Sequence, residues 1–151
     1  MALLFKASGL ATVFLVCVAL GYKKSHNIRK RAEILVLIHR SITLFAEYIL
    51  AENKEIAKLL PTCFGEDFVS VENNEISFKK DYLEKADIDL LSEFFKGLGF
   101  NGKNSEYERT RLFASLIKNQ SQEANIKAES LCKLYNTLGL LIGTFLCVFF
   151  L

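Results

Sequence analysis

Cysteine, histidine and carboxylate are the side chains from which this 151-residue chain could build a catalytic or metal site. The four cysteines, Cys17, Cys63, Cys132 and Cys147, include no CxxC pair and no zinc-type grouping. Two of them lie inside uncharged apolar runs, where a thiol packs as a small hydrophobe. The two histidines, His26 and His39, have no second ligand at metal-binding spacing, and both read as helix-surface or core residues. A serine nucleophile would need one of them as its base. Asp87 and Asp89 could exchange protons as a carboxylate pair, but a helix cap followed by a surface charge accounts for both. There is no GxxxxGK[ST], HExxH or GxSxG, and the glycines of residues 97–102, GLGFNG, lack the preceding strand that a phosphate cradle requires. The expectation is a protein that is not an enzyme, with no catalytic, cofactor-binding or metal residues.

The elements that dominate the chain are two uncharged apolar runs, residues 7–22 and 134–151. A helix of about twenty apolar residues at 1.5 Å rise spans a hydrocarbon core of ~30 Å. Both runs are read as transmembrane anchors, which makes the lipid bilayer the first expected partner. Behind the first run stands a basic collar of Lys23, Lys24, Arg29, Lys30 and Arg31. The remaining thirteen Lys and Arg beyond it face all seventeen acids, a net of −4 over residues 32–133. Nucleic acid is not expected to bind so acidic a body. A cleaved signal peptide is the competing reading of the first run, with small residues at Ala19-Leu20-Gly21. A lipoprotein site at Cys17 is poorer, because Val16 is bulky. Signal peptides carry positive charge in front, whereas this collar follows the run, so an uncleaved anchor is favoured. Because basic flanks stay inside, the collar and the Lys127–Lys133 flank of the second run put the body on the cytoplasmic side. The expected organisation is an anchor over residues 1–22, a cytoplasmic helical bundle over 23–133, and an anchor over 134–151.

Within the body, Leu35, Ile38, Ile42, Phe45 and Ile49 recur at alternating spacings of three and four, continued by Ile56 and Leu59. Glu33, Arg40, Glu47, Glu52, Lys54 and Lys58 fall between them, which predicts one amphipathic helix over residues 27–60, stopped by Pro61. Residues 61–80 allow a hairpin with Val69 and Val71 facing Ile76 and Phe78. Since an isolated hairpin is marginal in water, an irregular connection docking Phe64, Phe68, Ile76 and Phe78 is favoured. Asp87 is expected to cap a short helix carrying Ile88, Leu91, Phe94, Phe95 and Leu98, with Gly99 as its stop. Ser105 and Glu108 form a capping-box pattern for a last helix through Phe113, Leu116, Ile117, Ala124, Ala128, Leu131 and Tyr135 into the second run. The fold class expected is all-α, with N- and C-terminal transmembrane helices flanking a small antiparallel bundle. Gly139 and Gly143 form a GxxxG, spacing that lets membrane helices approach closely, with Ala7, Gly9 and Ala11 as the small residues available opposite. That pattern serves either an intramolecular seam or contact with another membrane subunit.

From Lys133 the sequence KLYNTLGLLIGTFLCVFFL resembles the ending of the stage III sporulation protein AB family of endospore-forming bacteria. Lys133, Leu134, Tyr135, Leu138, Gly139 and Gly143 carry the match. Residues 90–99, LLSEFFKGLG, then a polar turn and a long charged helix with alanines, follow the family's order of elements. Arg109 stands about where the family has a glutamine. The resemblance is strong after Leu90, loose over residues 27–60 and nearly absent over 61–80. It implies a helical domain similar to that of the platform subunit of type II secretion and type IV pilus machines. It also implies a place in the channel complex between mother cell and forespore, in the mother-cell membrane. The partners it implies are a cytoplasmic secretion-type ATPase and other membrane subunits; self-association is also open to such a protein. A membrane-anchored regulator, binding a soluble signalling partner through its acidic helical face, is the alternative reading.

Overall fold

The computed structural model describes residues 2–51, 56–72, 75–99 and 102–150. In chain order the elements are α1 (Ala2–Ala51), α2 (Ile56–Phe64), β1 (Val69–Glu72), β2 (Glu75–Phe78), α3 (Lys85–Lys96) and α4 (Lys103–Phe150). They divide into two compact units, one made of Met1–Lys30 with Ala124–Leu151 and one of Arg31–Glu123. The long helices α1 and α4 each contribute to both units without interruption. The protein is thus helical, with one small two-stranded sheet among the described residues.

In the first unit the two helices pack as an antiparallel pair. Gly21 lies against Tyr135 and Gly139, Gly139 against Cys17 and Val18, and Gly143 against Phe14 and Cys17. Thiol contacts follow the same register: Cys132 Sγ donates to the Ser25 carbonyl at 3.3 Å and Cys147 Sγ to that of Leu10 at 3.6 Å. The outward faces carry Leu15, Leu20, Leu141, Phe145 and Val148, all exposed. Both helices are long and apolar enough to cross a membrane.

The core of the second unit gathers Ile38, Ile42, Phe45 and Ile49 from α1 with Leu91, Phe94 and Phe95 from α3 and Phe113 and Ile117 from α4. Phe94 sits at its centre. Its ring meets Phe45 edge-on at 6.3 Å, Phe95 at 5.2 Å and Phe113 at 5.4 Å. Truncating a buried phenylalanine removes its transfer free energy and leaves a cavity, together worth about 3–5 kcal/mol. Phe94→Ala is therefore expected to lower the unfolding midpoint of the detergent-solubilised chain by more than ~10 °C, read by circular dichroism.

Four local expectations need correction. The stripe expected over residues 27–60 falls on α1 as far as Ala51 and on α2 from Ile56, with residues 52–55 outside those described. Pro61 does not end a helix, since it lies inside α2. The missing N–H forfeits one intrahelical bond, outweighed by burial of Leu59 and Leu60 and by Phe64, whose ring packs against Phe45, Phe94 and Phe95.

Residues 69–78 form the hairpin rather than an irregular connection. Val69 pairs with Phe78 and Val71 with Ile76, putting these four on one face. That face docks on the core, so the hairpin is not isolated, and Ser70 and Ser77 hydrogen-bond at 2.6 Å on the exposed side. Its Asn73-Asn74 tip lies outside the described residues.

The helix caps shift as well. Glu84, not Asp87, is the N-cap of α3. Asp87 stands three residues in and accepts the Glu84 backbone N–H at 3.0 Å. At α4 the helix opens at Lys103, with the Glu106 N–H bonded to the Gly102 carbonyl at 3.0 Å, so Ser105 lies inside the first turn.

Candidate functional site

Two polar junctions hold the second unit together. In the first, Arg31 on α1 reaches the start of α3. Its Nε donates to Asp87 Oδ2 at 2.8 Å and its Nη2 to Oδ1 at 3.0 Å, while Nη1 lies 3.0 Å from Glu84 Oε1. The Asp87 side chain is wholly buried, and that of Arg31 is 12% exposed. The planar guanidinium matches the carboxylate fork, which lone ammonium groups cannot do. The Asp87 hydrogen bond, helped by the charges of Asp87, Glu84 and Glu123, raises the Arg31 pKa against the opposing effect of burial. Arg31 is therefore no exposed member of the basic collar; its charge is committed within the fold. Asp87 and Asp89 do not form a carboxylate pair either, because Asp89 lies on the surface and Asp87 in the ion pair.

The second junction closes the C-terminus of α3. Arg109 on α4 donates from Nη2 to the carbonyls of Glu93 (2.9 Å) and Phe94 (3.2 Å), and its guanidinium lies over the Phe113 ring at 5.0 Å. These carbonyls belong to the last turn, where a cation is favoured. The guanidinium also covers Gly97, where any Cβ would overlap it. Gly99 adopts a φ of 88°, a left-handed conformation that favours glycine, and donates its N–H to Glu106 Oε1 at 3.1 Å. The glycines 97 and 99 thus accommodate an internal arginine and carboxylate. The Gly99 N–H is thereby taken by a carboxylate. Asp89, Ser92, Glu93, Lys96, Gly97 and Arg109 line a shallow, open hollow beside this turn.

The remaining candidates stand apart from one another. His26 stacks on Tyr22 at 6.4 Å, and the His39 carbonyl accepts the Thr43 hydroxyl at 2.8 Å. Cys63 packs beside the core, and burial pushes its thiol pKa up, away from reactivity. All four cysteines are free thiols. Among the described residues, no three His, Cys, Asp or Glu side chains group closely enough to hold a metal ion.

The residues of the C-terminal motif divide between the two sides of α4. Gly139 and Gly143 are buried against α1 and Tyr135 is half-buried, whereas Lys133, Leu134 and Leu138 are exposed. The small residues opposite differ from those expected. Gly9 has nothing within 4 Å and Ala11 is exposed; the seam is made with Cys17 and Gly21, while the side chain of Ala7 lies outside those described. The antiparallel register decides this, because Gly139 meets Gly21 and leaves residues 9 and 11 beyond its reach. Lys23, Lys24 and Arg29 of the collar are exposed, and Lys30 is half-buried.

Two helices able to cross a membrane, running on into a small helical core tied by ion-paired helix ends, define a helical protein with two candidate membrane spans. Residues 54–151 match the family model for stage III sporulation protein AB, and the chain belongs to that family. It is accordingly a sporulation-related protein, and the two candidate spans suggest association with a membrane. The match takes in residues 61–80 as well as the C-terminal motif. No curated protein and no solved structure matches the chain.

Proposed function

We propose that this protein is a non-enzymatic platform or scaffold subunit of the secretion-like channel complex between mother cell and forespore. Its helical bundle lies on the cytoplasmic side of the mother-cell membrane and couples a cytoplasmic secretion-type ATPase to the other membrane subunits. The observation that carries this reading is the continuity of α1 and α4: each supplies one candidate span and part of the packed core without a break. A continuous helix bonded from turn to turn carries a displacement along its axis, which a flexible linker would absorb. Family membership in sporulation supports the setting, and the basic flanks of both spans support the orientation.

Purification of the full chain in mild detergent from sporulating cells tests it. Co-purification of a secretion-type ATPase together with further membrane proteins is the expected result. Recovery with only a soluble regulator would remove the coupling role and leave the acidic helical face as a signalling surface.

A further inference from the structure

The division into units also separates charge. Met1–Lys30 with Ala124–Leu151 holds seven Lys and Arg against one acid, Glu129, a net of +6; Arg31–Glu123 holds twelve against sixteen, a net of −4. Four of these seven cations lie near one level. The Cys132 thiol bonds the Ser25 carbonyl, so Lys24 and Lys133, each one residue from this contact, stand at the same height on paired helices. Lys23 adjoins them and Arg29 follows little more than a turn beyond. Lys23, Lys24, Arg29 and Lys133 are exposed and make no ion pair among the described residues. Immediately to the apolar side, Leu20, Leu134 and Leu138 face outward, and Tyr22 is 67% exposed at the boundary. An exposed tyrosine between an apolar face and a ring of cations marks the depth of lipid headgroups.

We propose that Lys23, Lys24, Arg29 and Lys133 form a belt that binds anionic phospholipid headgroups, with Tyr22 seated at the same interface. Each helix supplies only part of the belt; the antiparallel pairing completes it. The single acid of the unit, Glu129, is too little to neutralise four exposed cations that make no ion pair among the described residues. Phospholipid phosphates, presented where the apolar face ends, provide the compensating charge. This inference rests on the membrane reading above.

The test uses the full chain reconstituted in bilayers of equal phosphatidylglycerol and phosphatidylcholine, extracted gently, with retained lipids identified by native mass spectrometry. Phosphatidylglycerol is expected to be enriched at least about fivefold, the contribution of a single cation near an anionic surface. Lys23→Gln, Lys24→Gln, Arg29→Gln and Lys133→Gln together abolish that enrichment. Removing four exposed cations of the other unit, by Arg40→Gln, Lys85→Gln, Lys96→Gln and Lys118→Gln, leaves it intact. Equal retention by both variants overturns the belt. So does displacement of the lipid by added inorganic phosphate, which would mark a free-anion site. A chain that inserts into bilayers but shows no lipid preference counts against the belt alone; one that fails to insert at all removes the membrane reading beneath it.

Discussion

Arg31→Met is expected to cost about 3–5 kcal/mol of folding stability. The Asp87 carboxylate has no exposure, and without the guanidinium only the Glu84 N–H remains to it among its described partners. A buried charge deprived of its counter-ion loses the attraction and retains the desolvation penalty. The two residues are 56 positions apart, so the loss also unties α1 from the start of α3. Combining Arg31→Met with Asp87→Asn separates charge from packing. The asparagine carbonyl can still accept the Glu84 N–H, and no charge is left buried, so the double variant should regain most of the stability. Thermal unfolding of the full chain in detergent, followed by circular dichroism, measures all three variants. Strict additivity of the single substitutions would show that the pair is not a coupled unit.

Gly21→Leu should separate the paired helices of the first unit. A Cβ at Gly21 would stand 2.7 Å from the Tyr135 backbone oxygen and one at Gly139 3.0 Å from that of Cys17. Backbone cannot rotate away as a side chain can. The helices must move apart, and in lipid close backbone approach supplies much of the association. Cross-linking reads this in the full chain. A Cβ at Gly143 lies 3.5 Å from the Cys17 Cβ, within reach of a disulfide. Gly143→Cys is therefore expected to oxidise readily with Cys17, after the flexible Phe14 ring shifts. Adding Gly21→Leu should cut the yield roughly tenfold, equivalent to ~1.4 kcal/mol. Gly9→Leu, at a position with nothing within 4 Å, is the matched control. Undiminished cross-linking in Gly21→Leu would dismiss the seam.

The two apolar runs and the helical stripe from Leu35 to Ile49 were legible because they depend only on residue type and spacing along one element. The aromatic run of α3 and the Leu-Gly turn after it were legible for the same reason. The hairpin was visible as a pairing of Val69 and Val71 with Ile76 and Phe78, yet its stability was not. That depends on the apolar surface of α2 and α3 beneath it.

Residue order and composition by themselves determined the helical class, the two candidate spans, the segregation of charge and the family. Tertiary structure alone decided what the polar and small residues do. Sequence alone makes Asp87 a helix cap, and only the arrival of Arg31 from 56 residues away makes it half of an ion pair as well. Gly21 reads as an unremarkable glycine at the end of a run until antiparallel packing sets it against Gly139. Arg109 is one more helix-surface cation until the end of α3 presents it with two unpaired carbonyls. Periodicity records which side of an element faces inward, because that is a property of the element itself. The identity of the group waiting there belongs to another part of the chain, and only folding brings the two together.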